Sequence, residues 1–323
     1  AETEKPLVLD SKAGKIELPS KVVSDLAKDA KDGVKVSINQ VDSKEFPKED
    51  SQKLKSEVYD YTISLLDGSS ETKVTSFAEP LTVEVSVKSK TLDDKRKAAA
   101  FYLNEEMNKW EYVGGKVVGD NFVFQTTHFS KYVVMESDKT FKDVQKHWAQ
   151  DEIEVLASRM ITSGKTEDTF APQQKLTRAE FAVLLSRSLN LELTSYEGIF
   201  KDVKESKAWA YAGIEAAYRA GIVKGTLDGH YNPDAEINRQ EMATMIVRAV
   251  KYQDESLVKG LESTNKFKDD SRISAFAKEA VYQANALGII KGRSDNSFDP
   301  KADTTRAETA VMLYRMLNVL DEM

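Results

Sequence analysis

The sequence predicts an α+β chain in separate domains. A mostly-β, sandwich-like domain occupies residues 1–137, and an all-α domain of three repeats with pseudo-threefold packing occupies 138–323. Two observations predict this. Up to about Glu136, apolar and polar residues alternate at period two, the mark of half-buried strands. After Ser137-Asp138 helical spacing takes over, and one block is written three times: Thr177-Arg178-Ala179-Glu180, Asn238-Arg239-Gln240-Glu241 and Thr305-Arg306-Ala307-Glu308. A period of roughly 60 residues means tandem copies of one supersecondary unit.

The β elements follow from local pattern. A helix is expected near Ser20–Ala30, between two strands. Tyr59, Tyr61, Ile63 and Leu65 alternate with polar neighbours, and Asp67-Gly68 ends that strand with a turn signal. Leu81-Val83-Val85-Val87 alternates with Thr82, Glu84 and Ser86. Phe101-Tyr102-Leu103 and Trp110-Glu111-Tyr112-Val113 flank a polar turn through 104–108, as a hairpin would. Asn121–Gln125 and Tyr132–Met135 close the set, and short strands at this spacing indicate a sandwich.

Each later repeat reads helix, Gly turn, aromatic-x-Pro loop, helix. The repeats run over about 140–195, 199–255 and 266–323. They open with Phe141-Lys142-Asp143, Phe200-Lys201-Asp202 and Phe267-Lys268-Asp269. In the first helix, Ile153, Leu156, Ala157 and Met160 form one apolar stripe, matched by Ile214, Ala217, Tyr218 and Gly221. The second helices cover Phe181–Leu189, Met242–Val250 and Thr309–Leu317. Phe170-Ala171-Pro172, Tyr231-Asn232-Pro233 and Phe298-Asp299-Pro300 each precede the Thr/Asn of the block by seven residues. A single unit of this size exposes an apolar face, so the three are expected to pack together.

Composition narrows the function. A formal charge of −7 with both signs interspersed argues against nucleic-acid binding. No apolar run approaches the ~20 residues of a membrane span, so no membrane insertion is expected. The start at Ala1, in polar sequence, is read as a mature or truncated start. There is no Cys, and His128, His147 and His230 are scattered, so neither a metal site nor a cofactor is expected. With no glycine-rich phosphate loop and no persuasive carboxylate pair, these residues are not read as an enzyme.

Within the repeated block, Thr177 with Glu180, Asn238 with Glu241, and Thr305 with Glu308 have the spacing of capping boxes. That leaves Arg178, Arg239 and Arg306 unexplained. A cation in the first turn of a helix opposes the macrodipole, at a cost of roughly 0.3–1 kcal/mol. Two reasons remain open: an ion pair with Asp143, Asp202 or Asp269 across a repeat junction, or an anion site. In the second, helix N–H groups and a guanidinium fork converge on a ligand carboxylate or phosphate.

These motifs in this order resemble the S-layer homology (SLH) domain family, from about Thr140 to Leu320. The resemblance implies a three-lobed helical domain that anchors bacterial surface proteins to secondary cell-wall polysaccharide. That polymer often carries pyruvylated N-acetylmannosamine, whose ketal is a carboxylate. Carried over by position, the implied ligand-binding residues are Arg178, Arg239, Arg306, Asp143, Asp202, Asp269, Trp148 and Trp209. Gly164, Lys165, Gly225, Thr226, Gly292 and Arg293 join them from the Gly turns. The tryptophans read equally as core or as a wall for a sugar face, and the glycines as positive-φ positions or close-approach positions. Three departures stand out: Asn238-Arg239-Gln240-Glu241 in repeat two, Ser274-Ala275-Phe276 in place of a Trp in repeat three, and Ser163 before Gly164 in repeat one.

His128-Phe129-Ser130 resembles the self-cleavage site of ZU5-type β modules, with His128 as base and Ser130 as nucleophile; the alternative is an ordinary strand entry. The implied role of the β domain is a spacer. The leading expectation is an extracellular wall-anchoring protein of the cell surface or S-layer. Its alternatives are the C-terminal part of a larger glycoside hydrolase and a structural module assembling with S-layer lattice neighbours.

Overall fold

The computed structural model describes residues 5–47, 52–87, 92–205, 208–261 and 266–323; Ala1 lies outside them. The chain forms two compact units, Ala1–Lys139 and Thr140–Glu322.

The first unit is built on two antiparallel sheets. One has the order β1 (Leu7–Ser11), β2 (Gly14–Leu18), β7 (Leu81–Ser86), β11 (Asn121–Thr126), β10 (Lys116–Val118). The other runs β3 (Gly33–Val41), β5 (Val58–Asp67), β12 (Lys131–Ser137), β8 (Ala98–Asn104), β9 (Lys109–Gly114). In addition β4 (Gln52–Leu54) pairs with β12, and β6 (Ser70–Val74) with β5. The inward residues of both sheets share one core, with Ile16, Val83, Phe122 and Phe124 from the first, and Tyr61, Ile63, Ala100 and Tyr132 from the second. Helix α1 (Ser20–Asp29) buries Val22 and Leu26 against it.

Turn chemistry sets the register. Asp67 pairs with Ser70 around Gly68, whose φ of 58° suits the tight primed turn of a hairpin. In the β8–β9 hairpin Asn104 Oδ1 accepts from the Met107 amide at 3.1 Å, and Asn108 takes φ 47°. Strands β1–β4, β6 and β10 were not individually predicted. β3 is an edge strand whose Val34, Val36 and Ile38 are only partly covered, and β10 is three residues long. At the His128–Ser130 tripeptide, Phe129 packs on Tyr61 and Phe77, while Ser130 Oγ donates to Leu103 O at 3.1 Å.

The second unit is helical: α2 (Gln150–Ser158), α3 (Arg178–Ser188), α4 (Ala208–Arg219), α5 (Arg239–Gln253), α6 (Ala275–Ala286) and α7 (Arg306–Val319). Here the apolar stripe needs correction at its end. Met160 and Gly221 are not helical but sit in the following turn at φ 63° and 70°, the left-handed position that stops a helix, and Tyr218 is exposed. The second helix of one repeat packs on the first helix of the next: α3 on α4, α5 on α6, and α7 back on α2. Between α3 and α4 the fit is close. A Cβ on Gly213 would lie 3.1 Å from Val183 Cγ2, and Ser186 Oγ donates to Gly213 O at 2.7 Å.

Three extended segments meet in the middle. Leu176 N donates to Thr304 O, Thr304 N to Ile237 O, and Ile237 N to Leu176 O, at 3.0–3.1 Å. The cycle satisfies backbone groups that burial would otherwise leave orphaned, and Leu176, Ile237 and Thr304 are buried within it. A longer link closes the ends: Arg159, fully buried at the foot of α2, donates through Nη1 to Glu322 O at 2.9 Å.

Candidate functional site

Each repeated block begins a helix immediately after the central segment. Thr177, Asn238 and Thr305 accept the N3 amide, and Glu180, Glu241 and Glu308 bond back to the cap amide, closing three capping boxes.

The arginine beside each cap reaches into the next repeat. Arg178 Nε donates to Tyr231 O, Arg239 Nε to Phe298 O, and Arg306 Nε to Phe170 O, at 2.8–3.0 Å. Each guanidinium also lies over the ring of that same aromatic, 4.3–5.2 Å from its centre. Ion pairs form with the capping glutamate of the next repeat: Arg178 with Glu241 and Arg239 with Glu308, both at 3.4 Å. Arg178 and Arg239 thus have acidic partners across the repeat junction, glutamates in place of the expected aspartates. Asp143, Asp202 and Asp269 accept instead from two backbone amides each, those of Phe170 and Ala171, Tyr231 and Asn232, and Phe298 and Asp299, at 2.7–2.8 Å. Such carboxylate clamps hold the aromatic-x-Pro turn whose middle residue has φ near 60°.

The glycines of the turns are explained by packing. None of Gly164, Gly225 and Gly292 has positive φ, but a Cβ would fall 2.6, 2.5 and 3.0 Å from Cε1 of Phe141, Phe200 and Phe267 respectively. Beside them, Lys165 Nζ bonds Glu180 and Arg293 Nη1 bonds Glu308, both at 2.9 Å, whereas Thr226 bonds Asp228 and His230 within its own turn. Trp148 and Trp209 are 62% and 58% exposed, which removes the core reading for both.

One groove of about 810 Å³ brings several of these residues together, within the size range of ligand sites. Arg178, Asp202, Gly225 and Thr226 line it, with Asn238 and Glu241 from the second cap. Sequence reasoning missed Lys224, Met245, Arg248 and Phe276, which also line it. A signal for Arg248 existed: Arg187, Arg248 and Arg315 each stand nine residues after the block's arginine. Arg248 and Arg315 both bond the Ile carbonyl after the first helix, Ile222 O and Ile289 O, at 3.3 and 3.4 Å. Among the described residues no cluster of His, Asp and Glu could hold a metal ion, and no helix is long and apolar enough to cross a membrane.

The family model for the S-layer homology domain matches residues 140–182, 199–243 and 266–310. The three repeats are S-layer homology domains. Similar proteins carry them in different settings. The chain is 42% identical over 265 residues, 81% of its length, to an amylopullulanase of Thermoanaerobacterium thermosulfurigenes, of which the match covers 14%. It is 41% identical to exoglucanase XynX of Acetivibrio thermocellus, over 57% of this chain and 17% of that one. An S-layer protein of Bacillus thuringiensis subsp. finitimus is 34% identical over 56% of this chain and 22% of its own. The chain thus spans less than a quarter of the length of these relatives.

Proposed function

We propose that the SLH unit holds its polypeptide non-covalently to the bacterial cell wall. It does so by binding secondary cell-wall polysaccharide, through a pyruvylated terminal sugar, in grooves between repeats. The protein is then extracellular, at the wall or in an S-layer, and the SLH unit is an anchor and not a catalyst. The observation carrying this reading is the groove itself. Guanidinium groups, the N-terminus of a capped helix and an exposed aromatic side chain surround one concave space, a set suited to a carboxylate on a sugar ring. The cyclic bonds among Leu176, Ile237 and Thr304 support a pseudo-threefold arrangement of repeats over 140–195, 199–255 and 266–323.

The first unit acts as a ZU5-like spacer in this reading. A second reading makes the chain the C-terminal anchoring part of a larger extracellular glycoside hydrolase; the match to the amylopullulanase, which extends beyond the SLH segments, favours it. The test is co-sedimentation of the chain with purified cell-wall sacculi, native and after extraction of the polysaccharide. Pelleting with native sacculi only supports the anchor, and equal pelleting with both rejects the polysaccharide as its ligand.

A further inference from the structure

We infer that recognition is concentrated in the groove headed by Arg178, that Phe276 supplies its sugar-facing wall, and that Arg239 and Arg306 hold the ring of repeats together. This rests on the anchoring reading above and assigns different work to three residues that the sequence writes identically.

The arginines differ in what they have left to offer. Arg239 is 3% exposed, and all three of its nitrogens are engaged: Nε with Phe298 O, Nη1 with Glu308, Nη2 with Lys291 O. Arg306 is 8% exposed, with Nε on Phe170 O and Nη2 on Ser163 O at 2.6 Å. A ligand anion would have to break these bonds and leave buried carbonyls without donors, a penalty that offsets what it gains. Arg178 has a side chain 16% exposed and lines the groove. Its Nη1 pairs with Glu241 at 3.4 Å, the same distance as Arg239 from Glu308, but the Arg239 side chain is only 4% exposed.

The rest of the groove differs in the same direction. At the position where Lys165 and Arg293 lie against the capping glutamates of their repeats, repeat two has Thr226, a short side chain turned to its own loop. Phe276 is 61% exposed, and it lines the groove together with Met245 and Arg248. An aromatic face with a thioether beside it takes the apolar face of a pyranose, and two guanidinium groups take its acid. The ligand class is a sugar with one carboxylate and one apolar face. Phe276 stands where the other two repeats have Trp148 and Trp209, and it is the one of the three that lines this groove.

The test is calorimetric titration of the full chain with purified cell-wall polysaccharide carrying pyruvyl ketals, and with the same polymer after the ketals are removed. Phe276→Ala, Trp148→Ala and Trp209→Ala truncate exposed side chains, so all three should fold. Phe276→Ala and Arg178→Gln are expected to weaken binding tenfold or more, and the two Trp variants by less than twofold. Arg239→Gln is expected to lower Tm and leave the affinity of the folded protein unchanged. Loss of binding in Trp148→Ala or Trp209→Ala with Phe276→Ala unaffected overturns the assignment while the anchor stands. No binding by the unmodified chain overturns the anchoring reading and the assignment with it. Equal binding to both polymers overturns the carboxylate as the recognised group.

Discussion

A Cβ placed on Gly225 would stand 2.5 Å from Cε1 of Phe200, the residue that opens the same repeat. The turn is therefore seated on the ring, and the absence of a side chain is what lets the two touch. Gly225→Ala should destabilise the SLH unit by about 1–3 kcal/mol through overpacking. Gly292→Ala, with 3.0 Å to Phe267 Cε1, should cost less. Denaturant titration followed by helical circular dichroism measures both, and equal stability of Gly225→Ala and the unmodified protein would sink the account.

The middle residue of each aromatic-x-Pro turn has left-handed backbone: Ala171 at φ 60°, Asn232 at 58° and Asp299 at 59°. Asn and Asp adopt that region more readily than Ala, so Ala171 holds it at a cost that the other two copies largely avoid. Ala171→Asn should stabilise the unit by about 0.5–1 kcal/mol, visible as a rise in Tm.

Gln240 stands where the other two blocks have Ala, and it is buried. Its Nε2 donates to Ser274 Oγ at 3.2 Å, and its Oε1 accepts from Ser274 N at 3.0 Å, so it caps α6 from the neighbouring repeat. The departure in block two and the departure before Phe276 in repeat three are thus the two halves of one contact. A double-mutant cycle of Gln240→Ala and Ser274→Ala should give a coupling energy of about 0.5–1.5 kcal/mol, and additive effects would refute the link.

Glu180 links the caps to acid stability. Burial alone would raise its pKa, but the Thr177 amide and the Lys165 side chain outweigh burial and hold the carboxyl below the ordinary 4.5. The folded state therefore binds fewer protons than the unfolded one in acid. Its contribution is complete above pH 4.5 and is lost as pH falls through the folded value. Glu180→Gln should be less stable than the unmodified protein at neutral pH and lose less stability on acidification below that point.

Much of this was legible in the sequence for a physical reason. Capping boxes, helical stripes and turn signals are local, and three copies made each local pattern visible against the noise of one. What was not legible lies in contacts between copies. Nothing in the spacing says that Asp202 clamps two amides of Tyr231 and Asn232, or that Glu241 and not an aspartate faces Arg178. Gly225 shows the same limit, since conformational freedom and close approach leave the same letter. In the first unit, long strands with alternating burial such as β5 and β7 were readable, while the edge strand β3 and the three-residue β10 were not.

The return of α7 onto α2, clipped by Arg159 to the carbonyl of Glu322, fixes the arithmetic of the assembly. In an open solenoid another copy can always be stacked on the last. Here α7 already packs on α2, so the faces of the last and first helices are taken by each other. A fourth copy would have to displace the pairing of α7 with α2. Tandem duplication of one repeat would therefore have to open that closure before it could enlarge the unit by a single step.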